Sequence, residues 1–154
     1  MRSITLRLVF ATFVVCAIWT WSAHGVAAQR TIPIVTRIFT GPDGQTRAET
    51  IDVKLTPVAS RYAQWWEESE TTKVTDSQFV RLAPGFVQDW HTASARRYVI
   101  TLSGSGEVEL SGGQKIQLNP GRILLAEDMT GKGHITRTLG KADWIALFVE
   151  FADH

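Results

Sequence analysis

The residues able to do chemistry gather in the second half of the chain: His91 beside Trp90, Arg97 beside Tyr98, Glu127 beside Asp128, and His134. Imidazole gives or takes a proton near neutral pH, so His91 and His134 are the candidate acid and base. Each also has a structural reading. His91 could line a β-structure with its ring bonded to a backbone carbonyl, and His134 could be the polar end of the loop Gly131-Lys132-Gly133. Glu127 follows the apolar run 123–126. A carboxyl against an apolar wall has a raised pKa and serves as general acid or base, which makes Glu127 the third catalytic candidate. Asp128 opens the turn Asp128-Met129-Thr130-Gly131 and reads as a turn residue bonding its own backbone. The planar fork of Arg97 matches a carboxylate bidentately, so Arg97 is a candidate substrate clamp. Its structural alternative is an ion pair with Glu107 or Glu109 on a neighbouring strand. Arg96 points to the opposite face from Arg97. Trp90 and Tyr98 complete the candidate substrate-binding set as aromatic walls of an apolar pocket.

These residues sit at the ends of short apolar or alternating runs. Segments 34–39 and 46–55 flank the turn cluster Gly41-Pro42-Asp43-Gly44 and read as a hairpin. Further strands are predicted over 79–82, 86–91, 98–102, 107–110, 115–118, 123–126, 134–139 and 144–151, separated by glycine, proline, asparagine and aspartate. No window of eleven residues sustains a helical period. Segment 59–71, with Tyr62, Trp65, Trp66 and Ser69, reads as one or two helical turns or an edge strand. Strands this evenly spaced predict an all-β sandwich or barrel. Alternation along a strand turns His91 and residue 93 to the same face.

The stretch Gly85-x5-His91-x-Ala93-x3-Arg97-x6-Gly104 resembles the first signature of the cupin family, Gly-x5-His-x-His-x3-Glu-x6-Gly. Ala93 stands at the second histidine and Arg97 at the glutamate. A second segment opening at Gly121 is similar to the family's Gly-x5-Pro-x-Gly-x2-His-x3-Asn. Here Glu127 replaces the proline, His134 arrives two residues late and Thr138 replaces the asparagine. The resemblance implies a jelly-roll β-barrel holding a small organic molecule, and a possible homodimer joined through segments 34–39 and 46–55. A complete cupin metal site has three histidines and a carboxylate, ligands suited to iron, manganese, nickel or zinc. Only His91 and His134 survive from that set, and the guanidinium of Arg97 repels a divalent cation. A divalent metal would need Glu127 or Asp128 to bend inward and complete a two-histidine, one-carboxylate set. The favoured reading is a metal-free pocket with no assigned cofactor.

Arg2 and Arg7, the apolar stretch 8–21 and the small residues up to Ala28 read as a signal peptide, cleaved to leave Gln29 first. Residues 29–154 are then one cupin domain, with the motif region at 85–138. The expected location is secreted or periplasmic, without stable membrane association after cleavage. Removing Arg2 and Arg7 leaves 14 basic residues against 15 acidic. That balance gives no footprint for nucleic acid. Cys16, the one cysteine, lies in the leader, so the mature chain has no disulfide. The expected function is small-molecule binding in the barrel, with a metal-independent lyase, isomerase or cyclase activity that uses histidine as acid or base. The alternatives are a non-catalytic binding module and a metal-dependent oxygenase or lyase with a depleted site.

Overall fold

The computed structural model describes residues 33–61, 64 and 66–152. The leader, Cys16, Tyr62 and Trp65 lie outside the described residues. Among the described residues there are twelve strands and no helix. Eight of them make the body: β5 (Val74–Leu82), β6 (Val87–His91), β7 (Arg97–Ser103), β8 (Ser105–Leu110), β9 (Lys115–Leu118), β10 (Ile123–Glu127), β11 (His134–Leu139) and β12 (Trp144–Phe151). Pairing is nested. The first of the eight pairs with the last, β5 with β12, then β6 with β11, β7 with β10 and β8 with β9, all antiparallel. Such a long hairpin, rolled so that successive pairs fall in alternate sheets, is a jelly roll. Its two sheets run β5-β12-β7-β10 and β6-β11-β8-β9.

The hairpin β1 (Ile34–Thr40) and β2 (Thr46–Asp52) extends the first sheet to six strands, with β1 parallel to β10. The expected second strand of this hairpin is thus shorter than 46–55. The described part of segment 59–71 is not helical: β3 (Thr56–Pro57) and β4 (Glu67–Glu68) pair as a small ribbon.

Strand alternation sorts the core. Val108 and Leu110 of β8, Ile116 and Leu118 of β9, Leu124 and Ala126 of β10, Trp144 and Ala146 of β12, and Ile38 of β1 turn between the sheets and pack together. Burying a large aliphatic side chain of this kind contributes about 1.5–3 kcal/mol. The intervening residues Val35, Leu125 and Phe151 form a second cluster on the outer face of the six-stranded sheet, with Tyr98 against it. The interior core fills one part of the barrel and leaves the rest hollow.

Candidate functional site

The hollow is a cavity of about 450 Å³. Its apolar wall comes from Val99, Val108, Leu118, Leu124, Ala126 and Trp144, and its polar side from His91, His134, Thr136, Gln88 and Arg97. Trp144 satisfies its indole N–H on Thr101 Oγ1 at 3.2 Å and so presents only hydrocarbon to the cavity.

The pairing of β6 with β11 places the two imidazoles. His134 lies opposite His91, and Thr136 lies opposite Gln88, so β6 spends three steps against two on its partner. This is a β-bulge at Asp89-Trp90, and it brings both Gln88 and His91 to the cavity although they stand three positions apart. The bulge also aims the Asp89 carbonyl at His91 Nδ1, 2.8 Å away. A carbonyl only accepts, so Nδ1 carries the hydrogen and the Nε2 lone pair is left free. Burial pushes the pKa of His91 down, and His134 adds to this, while the Asp89 carbonyl and Asp128 oppose it; the net direction is down. The rings of His91 and His134 stand 4.3 Å apart between centroids, tilted by 59°.

Behind His134 lies Asp128, completely buried, with Oδ2 2.6 Å from His134 Nδ1. The carboxylate accepts the Nδ1 hydrogen, which fixes the tautomer and leaves Nε2 as a base, the arrangement that lets a carboxylate orient an imidazole and stabilise its protonated form. Thr46 Oγ1 reaches the same Oδ2 at 3.4 Å, and the Asp128 backbone carbonyl accepts from Ala93 N at 3.2 Å. Oδ1 is buried with no partner among the described residues. A buried carboxylate costs several kcal/mol unless a charge or donors offset it, so its placement against an imidazole demands explanation.

The loop between Asp128 and His134 is held from two sides. Thr40 Oγ1 donates to Thr130 O at 2.8 Å, and Lys132 N donates to Gly44 O at 3.0 Å. Gly133 has φ +72° and sits where a Cβ would run into the carbonyl of His91. Only glycine lets the loop pass this close to β6.

Several sequence expectations are corrected. Ala126 faces the cavity, so Glu127 faces the other way, where it accepts hydrogen bonds from Arg37 Nε and Arg96 Nε. Burial pushes its carboxyl pKa up, but the bonds and charges of the two arginines outweigh this and hold it below the ordinary value. Glu127 is therefore no raised-pKa acid and does not join His91 and His134. Arg97 lines the cavity, but its ion pair is with Glu150 at 3.2 Å, its register partner on β12. Glu107 and Glu109 instead bind Arg137, at 3.2 and 2.7 Å, with Lys115 close by. Tyr98 lies on the outer face, edge-on to Phe151 with ring centroids 4.7 Å apart. Trp90 sits in the bulge, 40 % exposed and with Lys132 Nζ 4.7 Å from its ring centre, and is not part of the cavity wall. Asp128, expected to be a turn residue bonding its own backbone, is instead the carboxylate that joins the histidines. Its signal was strand parity: with 124 and 126 inward, 127 must point outward and 128 back in.

The donors present do not fit a resident metal. His91 and His134 each offer one nitrogen, Ala93 offers nothing and Arg97 adds positive charge. The Asp128 carboxylate engages His134 through Nδ1, behind the ring. Among the described residues no three histidine, cysteine or carboxylate side chains are placed to share an ion.

No family model and no curated protein matches this chain. Solved structures do. It is similar to a cupin domain from Bordetella pertussis Tohama I (19% identity, 54% of this chain and 91% of that one, TM-score 0.42). It is also similar to protein NMB1881 from Neisseria meningitidis (14% identity, 53% and 82%, TM-score 0.41). A third is dTDP-6-deoxy-D-glucose-3,5-epimerase from Legionella pneumophila Philadelphia 1, in complex with dTDP-4-keto-L-rhamnose (15% identity, 77% and 73%, TM-score 0.39). The nested pairing of β5 to β12, with both motif segments on paired strands of one barrel, gives this chain a cupin-type jelly-roll fold.

Proposed function

We propose that the barrel cavity binds a small organic molecule and that His134, oriented by Asp128, moves a proton on it without a metal, as a lyase, isomerase or cyclase does. The observation that carries this reading is the 2.6 Å contact of a fully buried Asp128 carboxylate with a cavity-lining imidazole. Asp128 holds the tautomer that leaves His134 Nε2 free to take a proton, and its charge stabilises the imidazolium formed when it does. His91, neutral and with its own free Nε2, is positioned beside it to accept or return a proton. The apolar wall excludes water and strengthens these interactions. The competing reading is a binding module in which the same groups only orient a ligand. It is favoured by Glu127, the third expected catalytic group, being engaged by two arginines outside the cavity.

The test starts from compounds that raise the melting temperature of the protein, followed in D2O by proton NMR for exchange or rearrangement. His134→Ala is expected to lower turnover by about 10²–10⁴-fold, the contribution of a positioned general base. Asp128→Asn should lower kcat while leaving KM unchanged, a split that mere loosening of the loop would not produce. Unchanged turnover in both variants would refute proton transfer, and loss of affinity with no turnover in the parent would leave the binding module.

A further inference from the structure

Among the described residues, Arg97 is the one permanently charged side chain in the cavity lining; the other polar groups there are histidines, glutamines, serine and threonines. Both carboxylates that accompany the site lie outside that lining. Asp128 is sealed behind His134, and Glu150 meets Arg97 Nη2 from the β12 side at 3.2 Å. What faces an occupant is therefore a positive charge against hydrocarbon. The guanidinium is well held: Nη2 donates to Ser94 Oγ, Nε points to Ala95 O at 3.4 Å, and the Phe148 ring centre lies 5.4 Å from its central carbon. Nη1 makes no hydrogen bond among the described residues and is not a sealed-off atom. A pre-oriented guanidinium with one nitrogen unused suits a carboxylate, which accepts a stronger, charge-assisted hydrogen bond from it than a neutral amide does. A cavity of about 450 Å³ lies in the range of small-ligand sites and has room for an acid with an apolar body.

We infer that the occupant is a small carboxylic acid with an apolar body, its carboxylate on Arg97 Nη1 and its body against the Val108–Leu118–Trp144 wall. This rests on the reading that the cavity binds a small organic molecule. Glu150 is then the internal competitor for the guanidinium, and it weakens binding of any acid that does not fill the apolar wall.

The experiment uses three acids, benzoate, phenylacetate and hexanoate, each against its own amide, titrated calorimetrically into the purified protein. At least one acid is expected to bind about tenfold or more tighter than its amide. In Arg97→Gln that gap should fall to within about twofold, with the amide affinity retained. Glu150→Gln should tighten acid binding several-fold and leave the amides unchanged; it decides the matter if Arg97→Gln does not fold. Equal binding of acids and amides in the parent overturns this inference alone. A preference that survives Arg97→Gln, or acid affinity indifferent to Glu150→Gln, overturns it too. Binding of none of the six compounds overturns it along with the small-molecule reading of the cavity.

Discussion

His91 owes its state to a backbone carbonyl on one side and to desolvation on the other. Its ordinary pKa of 6.5 is pushed down chiefly by burial, with the neighbouring His134 acting in the same direction. The unfolded chain therefore binds this proton at a higher pH than the native one. The contribution of His91 to stability is present above its unfolded pKa of 6.5 and is lost as pH falls from there through its lower folded pKa. The charged and titratable groups facing it are His134 and, behind that ring, Asp128. His91→Gln removes the titration, so the fall in melting temperature between pH 7 and pH 5 should be shallower in the variant than in the parent. Parallel slopes would show that the ring is not buried as described. The partner of His134 was harder to read from sequence. Asp128 precedes a glycine-containing turn, where aspartate usually bonds its own backbone; strand parity turns it inward, but nothing local reveals that its carboxylate meets a histidine six residues later. Glu127 looked the better candidate because it ends an apolar strand, yet that same strand sends it outward, to Arg37 and Arg96.

Strands β9, β11 and β12 have the ends that turn residues predict, because Gly112-Gly113, Asn119-Pro120-Gly121, Gly131 to Gly133 and Gly140 leave no other place for them. The first half of β5 was not legible. Val74 to Gln78 is a mostly polar run, exposed throughout, and an edge strand wet on both faces carries no alternation to detect. Nor was the bulge in β6, since an extra residue in one strand is defined only against its partner. Yet that bulge decides that His91 and Gln88 share the cavity, and its position depends on Gly133. Replacing Gly133 by alanine forces a Cβ into the His91 carbonyl at a backbone angle that L side chains avoid. The variant is expected to lose about 1–3 kcal/mol of stability. It should also lower turnover more than Gly112→Ala, a substitution in a turn where a Cβ meets no neighbour. If the two variants behave alike in urea unfolding and in turnover, the loop does not position the histidine pair.

A jelly roll with a hollow must hold its sheets apart on one side while packing them together on the other. The close side is where β12 of the six-stranded sheet meets β8 of the four-stranded sheet: Trp144, 1 % exposed, lies across Gly106. Gly106 has no positive φ, so its lack of a side chain serves only to admit the indole. A Cβ there would fall inside contact distance of the six-membered ring of Trp144, while the indole N–H remains tied to Thr101 on β7. The ring cannot swing away without giving up that bond, so the added methyl must push β8 outward and with it Val108, a wall of the cavity. Gly106→Ala is therefore expected to cost about 1–3 kcal/mol as an overpacking substitution, and Trp144→Phe to cost a comparable amount through lost volume and an orphaned Thr101 hydroxyl. Together they should cost less than the sum, because the smaller ring makes room for the methyl; a coupling of about 0.5 kcal/mol or more in a double-mutant cycle is the measure. Strict additivity in urea unfolding would mean that the two sheets are not joined at this contact, and that the cavity is kept open by something other than the stack of Trp144 on Gly106.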